Sequence, residues 1–147
     1  MTVSSWFKTT SSSERPIFSN RSGSGRFYYG IVSGKGFVYY NSASPAGITT
    51  TARVNDNSWH NFVYVRSGTT SFLYLDGKID SSPTQTGYVA NDGSGIRIGH
   101  DVANAIEYFP GQIDDVRIYN YALTATQVKT LYNEDSAIRF GPVTGTP

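Results

Sequence analysis

From residue 2 to residue 119 the chain alternates apolar and polar side chains in short runs, each ending in a cluster of Gly, Ser, Asn or Asp. A period of two broken in this way predicts β-strands joined by tight turns. Residues 59–66 show it most cleanly: Trp59, Asn61, Val63 and Val65 fall on one side, and His60, Phe62, Tyr64 and Arg66 on the other. Residues 2–8 (TVSSWFK) carry large side chains on both faces, with Val3 and Phe7 opposed to Trp6. Further strands are predicted at 15–20, 27–32, 37–40, 72–75, 96–99 and 112–119, with a threonine-rich edge strand at 48–52. The glycines of 33–36 permit the positive φ of a hairpin between the third and fourth strands, and Asp76-Gly77 is a type I′ hairpin signal. Residues 79–91 read as polar and irregular.

Beyond Asn120 the period lengthens. Thr124 is followed three residues later by Gln127, a capping box in which each side chain satisfies the other's backbone N–H. Leu123 and Val128 are placed to form the hydrophobic staple, and Val128, Leu131 and Tyr132 share one helical face. The stretch 108–132 therefore predicts a central strand followed by a short docked helix. About nine short strands with turns every 8–12 residues point to an all-β, two-sheet sandwich. Residues 137–140 are expected to add a last strand, which makes 1–140 one domain and leaves 141–147 (GPVTGTP) as a tail or linker.

Composition narrows this further. At 147 residues the chain is about one domain. The absence of cysteine excludes a disulfide framework or a zinc–thiolate site. A net charge of +1, with 12 basic and 11 acidic residues interspersed, lacks the basic stripe of a nucleic-acid binder. No apolar run approaches the ~20 residues of a membrane span, and the first residues do not have the layout of a signal peptide. Eleven tyrosines and 15 glycines favour a sandwich over an α/β fold.

The segments WFKT, NDNSWHNFVYVRSG, LYLDGK, IRIGHD and YFPGQIDDVRIYNYALTATQVKTLY, in this order and spacing, resemble the laminin-G-like domains of the concanavalin-A-like lectin/glucanase superfamily, particularly its bacterial extracellular branch. The resemblance covers roughly residues 2–133. It implies a two-sheet antiparallel jelly-roll sandwich and an extracellular or cell-surface setting. Members normally begin with one more strand, paired near the one matching IDDVRIYN; without it, either the sequence is a fragment of a longer chain or another segment fills the gap, residues 137–140 or a neighbour's strand at an open sheet edge. The resemblance also implies a structural calcium ion at Asp114, with Asp101 and Asp92 as further candidates on nearby loops. Such a cation needs six to eight oxygen ligands. The alternative is that Asp114 or Asp115 pairs with Arg117 or Arg97, or caps a loop.

Related glucanases use two carboxylates spaced Glu-x-Asp-x-x-Glu, and retaining hydrolysis needs such carboxyls ~5 Å apart. That spacing does not occur in this chain, and neighbouring strand residues such as Asp114 and Asp115 face opposite ways. No GxSxG elbow is present. Sugar rings instead bind by stacking on aromatic side chains, with polar groups reading the hydroxyls. Tyr28 and Tyr40 are the expected outward pair on the hairpin, with Phe27 and Phe37 drawing Tyr29 and Tyr39 to the other face. Tyr108 borders a loop and completes the candidate ligand-binding set. The expected function is a non-catalytic glycan-binding or adhesion module whose partner is a carbohydrate or surface glycoprotein. The competing expectation is a structural or assembly domain that self-associates through its open sheet edge.

Overall fold

The computed structural model describes residues 1–22, 25–40, 46–85, 95–101 and 108–139. The alternating runs become ten strands: β1 Thr2–Thr9, β2 Arg15–Ser22, β3 Gly25–Val32, β4 Lys35–Tyr40, β5 Gly47–Arg53, β6 His60–Ser67, β7 Thr70–Leu75, β8 Lys78–Ser81, β9 Ile96–Ile98 and β10 Gly111–Tyr119; one helix, α1 Ala125–Arg139, follows. They form two five-stranded antiparallel sheets, ordered β10-β1-β6-β7-β8 and β5-β4-β3-β2-β9. The all-β, two-sheet architecture is the expected one.

One face of each strand fills the space between the sheets. Val3 and Phe7 of β1, Phe62 and Tyr64 of β6, and Leu73 and Leu75 of β7 meet Ile17, Phe18, Phe27, Tyr29, Ile31, Val38 and Ile48 from the second sheet. Burial of an aliphatic or aromatic side chain is worth about 1.5–3 kcal/mol, so this layer dominates stability. Polar contacts cross it at Tyr29. The Tyr29 hydroxyl donates to the Phe62 carbonyl and receives a bond from Ser5 Oγ, 3.1 Å away, while the Tyr29 ring stacks on Phe62 at 4.7 Å. Burial pushes the Tyr29 phenol well above its ordinary pKa, with the Ser5 bond opposing, so it remains a donor throughout.

The other face of the first sheet is covered as well. Val63, Val65 and Tyr74 pack against Leu123, Val128 and Leu131. Trp6 stacks on Tyr132 at 5.4 Å. The capping box forms as expected: Thr124 N–H donates to Gln127 Oε1 (2.9 Å) and Gln127 N–H to Thr124 Oγ1 (3.2 Å). Leu123 and Val128 are both buried in that layer, consistent with the staple. Asp76 and Gly77 have φ of 50° and 74°, as the type I′ turn requires. A Cβ on Gly77 would lie 2.9 Å from the Tyr132 ring, so this turn also admits the helix.

Three expectations need correction. Among the described residues β10 is an edge strand, because β1 lies between it and β6. It keeps an alternating, half-exposed pattern, whereas β1 is buried at every position but one. The helix has 15 residues and takes in 137–139, which therefore add no strand; residue 140 and the tail 141–147 lie outside the described residues. The stretch read as irregular after Gly77 contains β8, which pairs with β7. Its Asp80 carboxylate accepts from Thr51 N–H (2.6 Å), Thr51 Oγ1 (2.8 Å) and Ala52 N–H (3.1 Å), tying the β8 edge to the β5 edge of the other sheet.

Replacing Thr124 by Ala removes one half of the cap. Urea unfolding should show a loss of about 1 kcal/mol. Val128→Ala, which opens a void under the same helix, should cost more, about 2 kcal/mol.

Candidate functional site

The tyrosines of the β3–β4 hairpin sort differently from the sequence parity. Val32 pairs with Lys35, so the turn has two residues, and Tyr28 faces Tyr39 while Phe27 faces Tyr40 and Gly30 faces Phe37. Cross-strand partners share a face, so a residue of even number on β3 lies with residues of odd number on β4. Tyr28, Phe37 and Tyr39 thus share the outer face of the second sheet, and Tyr28 and Tyr40 do not pair outward. Tyr28 is also fully buried, its ring 5.7 Å from that of Phe37. It is a packing residue, contrary to the expectation of an exposed one. The side chain of Tyr40 lies outside the described residues.

Tyr108 is different. It is 62% exposed, and its ring stacks on His100 with centroids 4.7 Å apart and planes 25° from parallel. Several bonds hold this pair in place. His100 and Tyr108 form an isolated antiparallel bridge, and Phe109 N–H donates to the Gly99 carbonyl at 2.9 Å. Gly99 N–H donates to Ile17 O and Ser19 Oγ to His100 O, both at 2.9 Å. Phe109 anchors the segment by an edge-on contact with Phe7 in the core, 6.0 Å between centroids. The result is an exposed aromatic ring braced from behind by a second ring and fastened to β2. An aromatic contact that is rigid before binding loses little entropy on binding.

The carboxylates of β10 have separate hydrogen-bond partners. Asp115 has φ of 50° and sits where the β1–β10 register shifts between Ser4 and Trp6, so Asp115 and Val116 together stand opposite one residue of β1. This is a β-bulge with Asp at the left-handed position usually held by Gly. Asp115 pairs with Arg117 Nε at 2.8 Å, which is the ion pair expected as the alternative to calcium. Asp114 is exposed and accepts from Asp115 N–H at 2.8 Å. Asp101 is fully buried at the far end of β9. Residues 102–107 after it, and Asp92, lie outside the described residues. Among the described residues no three His, Asp or Glu side chains gather as metal ligands.

Pattern reading missed one charged cluster. His60 Nδ1 lies 3.0 Å from Asp76 Oδ2, and its Nε2 lies 3.1 Å from Asp56 Oδ1. Asp76 Oδ1 also accepts from Asn61 N–H at 2.9 Å. The bond to Asp76 raises the His60 pKa above its ordinary value, and the charges of Asp76 and Asp56 add to this while burial opposes it. The Ser58 amide, then His60, hold the Asp56 carboxyl below its usual range. The His60 ring joins the loop before β6 to the β7–β8 turn. No nucleophile is hydrogen-bonded to it, so its visible role is to position those loops. The DG turn was legible in the sequence, but not its meeting with Asp56 on one ring.

Comparison with known proteins places the whole arrangement. A family model of the concanavalin A-like lectin/glucanases superfamily matches residues 1–129. The adhesion G-protein coupled receptor V1 of Danio rerio is 28% identical over 162 aligned positions, which cover 98% of this chain and 2% of that protein. Domain 4 of AbnA, a GH43 extracellular arabinanase from Geobacillus stearothermophilus solved with arabinotriose, has a TM-score of 0.71 at 21% identity, covering 89% of this chain and 65% of that one. Domains LG4-5 of the mouse laminin alpha1 chain have a TM-score of 0.63 at 14% identity, covering 85% and 36%. The chain thus spans less than two thirds of each of these relatives.

Tyr28→Ala should destabilise the fold by about 3–5 kcal/mol in chemical denaturation, as expected for a buried aromatic. For His60, whose folded pKa is raised, the contribution to stability is fully present below about pH 6.5 and fades as pH climbs through the raised value. The stability gap between the native chain and His60→Gln should therefore narrow from pH 6 to 8.5. It should amount to about 1 kcal/mol or less, because both carboxylates are open to solvent.

Proposed function

The chain belongs to the concanavalin A-like lectin/glucanases superfamily, and we propose that it serves as a non-catalytic module that binds a glycan or surface glycoprotein outside the cell. The observation that carries this reading is the exposed Tyr108 ring stacked on His100 and fastened to the core by Phe109. A flat, braced aromatic suits the C–H face of a sugar ring. The AbnA domain solved with arabinotriose and the laminin and adhesion-receptor relatives support the same class. Against hydrolysis stands the missing Glu-x-Asp-x-x-Glu spacing.

A second reading rests on the side of the sandwich where, among the described residues, β9 and β10 are edge strands. Ile96, Ile98 and Ile118 are 56%, 57% and 48% exposed there. By register they lie on the inward-facing side of their strands, opposite Asn20, Phe18 and Val3. An added strand would cover them, which favours assembly through this edge.

Glycan-array screening followed by titration tests the first reading. Tyr108→Ala should weaken binding about tenfold or more while the melting point stays put, since loss of a central aromatic contact costs on the order of 2 kcal/mol. Binding that is indifferent to this change, or no glycan binding at all, sinks the proposal. For the second reading, light scattering should show oligomers that Ile98→Lys converts to monomer. A monomeric native chain counts against it.

A further inference from the structure

Between the edge strand β10 and the helix lies a groove of about 200 Å³, lined by Arg117, Tyr119, Leu123, Gln127, Thr130 and Leu131. It arises because α1 docks over β6 and β7 through Val63, Val65 and Tyr74, while the sheet continues beneath it to β10. We infer that this groove, which uses none of the Tyr108–His100 pair, is a subsite for a single neutral sugar ring.

The lining has the chemistry for it. Leu123 and Leu131, only 8% and 5% exposed, make an apolar floor. The Tyr119 ring is half-buried and held edge-on against Tyr121, with centroids 5.7 Å apart and planes at 64°, so it is a fixed wall. Gln127 commits its Oε1 to the Thr124 N–H at 2.9 Å. That bond sets the orientation of the amide and leaves its Nε2 as a donor that cannot flip without losing the cap. Thr130 donates its hydroxyl proton to the Thr126 carbonyl at 3.0 Å, which leaves its oxygen as an acceptor. A ring wall, an apolar floor, one oriented donor and one acceptor together match a ring that is apolar on its face and hydroxylated on its rim. Pockets for drug-sized ligands begin at about 300 Å³, so this one suits one ring. Charge selects within that class. The Arg117 guanidinium is already offset by Asp115 at 2.8 Å, which removes the incentive for an anionic sugar.

The test is a residue-resolved NMR titration of the intact chain with methyl glycosides of neutral hexoses and pentoses, and with methyl glucuronide as the anionic control. Amides of residues 117–131 should shift saturably, with a Kd on the order of 1 mM as expected for so few atoms. Gln127→Glu keeps the capping oxygen but removes the donor, and should weaken binding several-fold with helix content unchanged. Thr130→Trp, at an exposed helix position, should fill the groove and abolish the response. Because the readout is by residue, shifts here are distinguished from any around residues 99–109, and either site can fail alone. The inference is overturned if no neutral glycoside shifts 117–131 saturably, if Thr130→Trp responds like the native chain, or if the glucuronide binds more tightly than the neutral rings.

Discussion

The two-sided burial of β1 is the constraint on which the remaining structure depends. Its odd residues, Val3 and Phe7, enter the core between the sheets, and Trp6 on the opposite face meets the helix. Both of its edges are paired, to β10 and to β6. Even the hydroxyl of Thr2 is used on both its functions: it donates to the Tyr121 carbonyl and accepts from Leu123 N–H, each at 2.9 Å. That single side chain directs the chain from the end of β10 into the staple and cap. The helix is therefore part of the same cooperative layer as the first strand, more than a hundred residues away in sequence. Loss of either one exposes the outer face of β6.

The two sheets consequently have different outer surfaces. The first is sealed by α1. The second is packed by its own aromatics, with Tyr28 under Phe37 and Phe37 beside Tyr39. Among the described residues, what remains for recognition is at the margins: the His100–Tyr108 pair beside β2, the groove under α1, and the outermost strands. This distribution suits a domain whose broad faces are spent on folding and whose function sits on its rim.

Much of the fold was legible because local rules and global need agree. The alternation of residues 59–66, the DG turn and the Thr124–Gln127 box each encode one geometry, and the structure adopts it. What was not legible depends on counting across a turn or on a break in a strand. The sharing of faces by Tyr28, Phe37 and Tyr39 follows from a two-residue turn at Ser33-Gly34, and a loop one residue longer would have reversed it. The bulge at Asp115 puts an acidic residue where glycine is the usual signal, so nothing in the pattern announced it. Residues such as Asp114, Asp115 and Arg117 mark β10 as charged, and charge is a common device on edge strands; the aromatic and isoleucine content argued the other way and suggested a central strand. Of the site residues, Tyr108 was readable from its place beside the FPG turn, whereas the bracing by His100 comes from a bridge between distant segments.

The carboxylate of Asp80 ties the β8 edge to the β5 edge with three hydrogen bonds, while the opposite side is lined by half-exposed isoleucines. A sandwich closed this way behaves like a bound book. Its spine lies along β5 and β8, and the His100–Tyr108 bridge with the Phe109–Gly99 hydrogen bond is a clasp between β9 and β10, so the two covers are held at both margins.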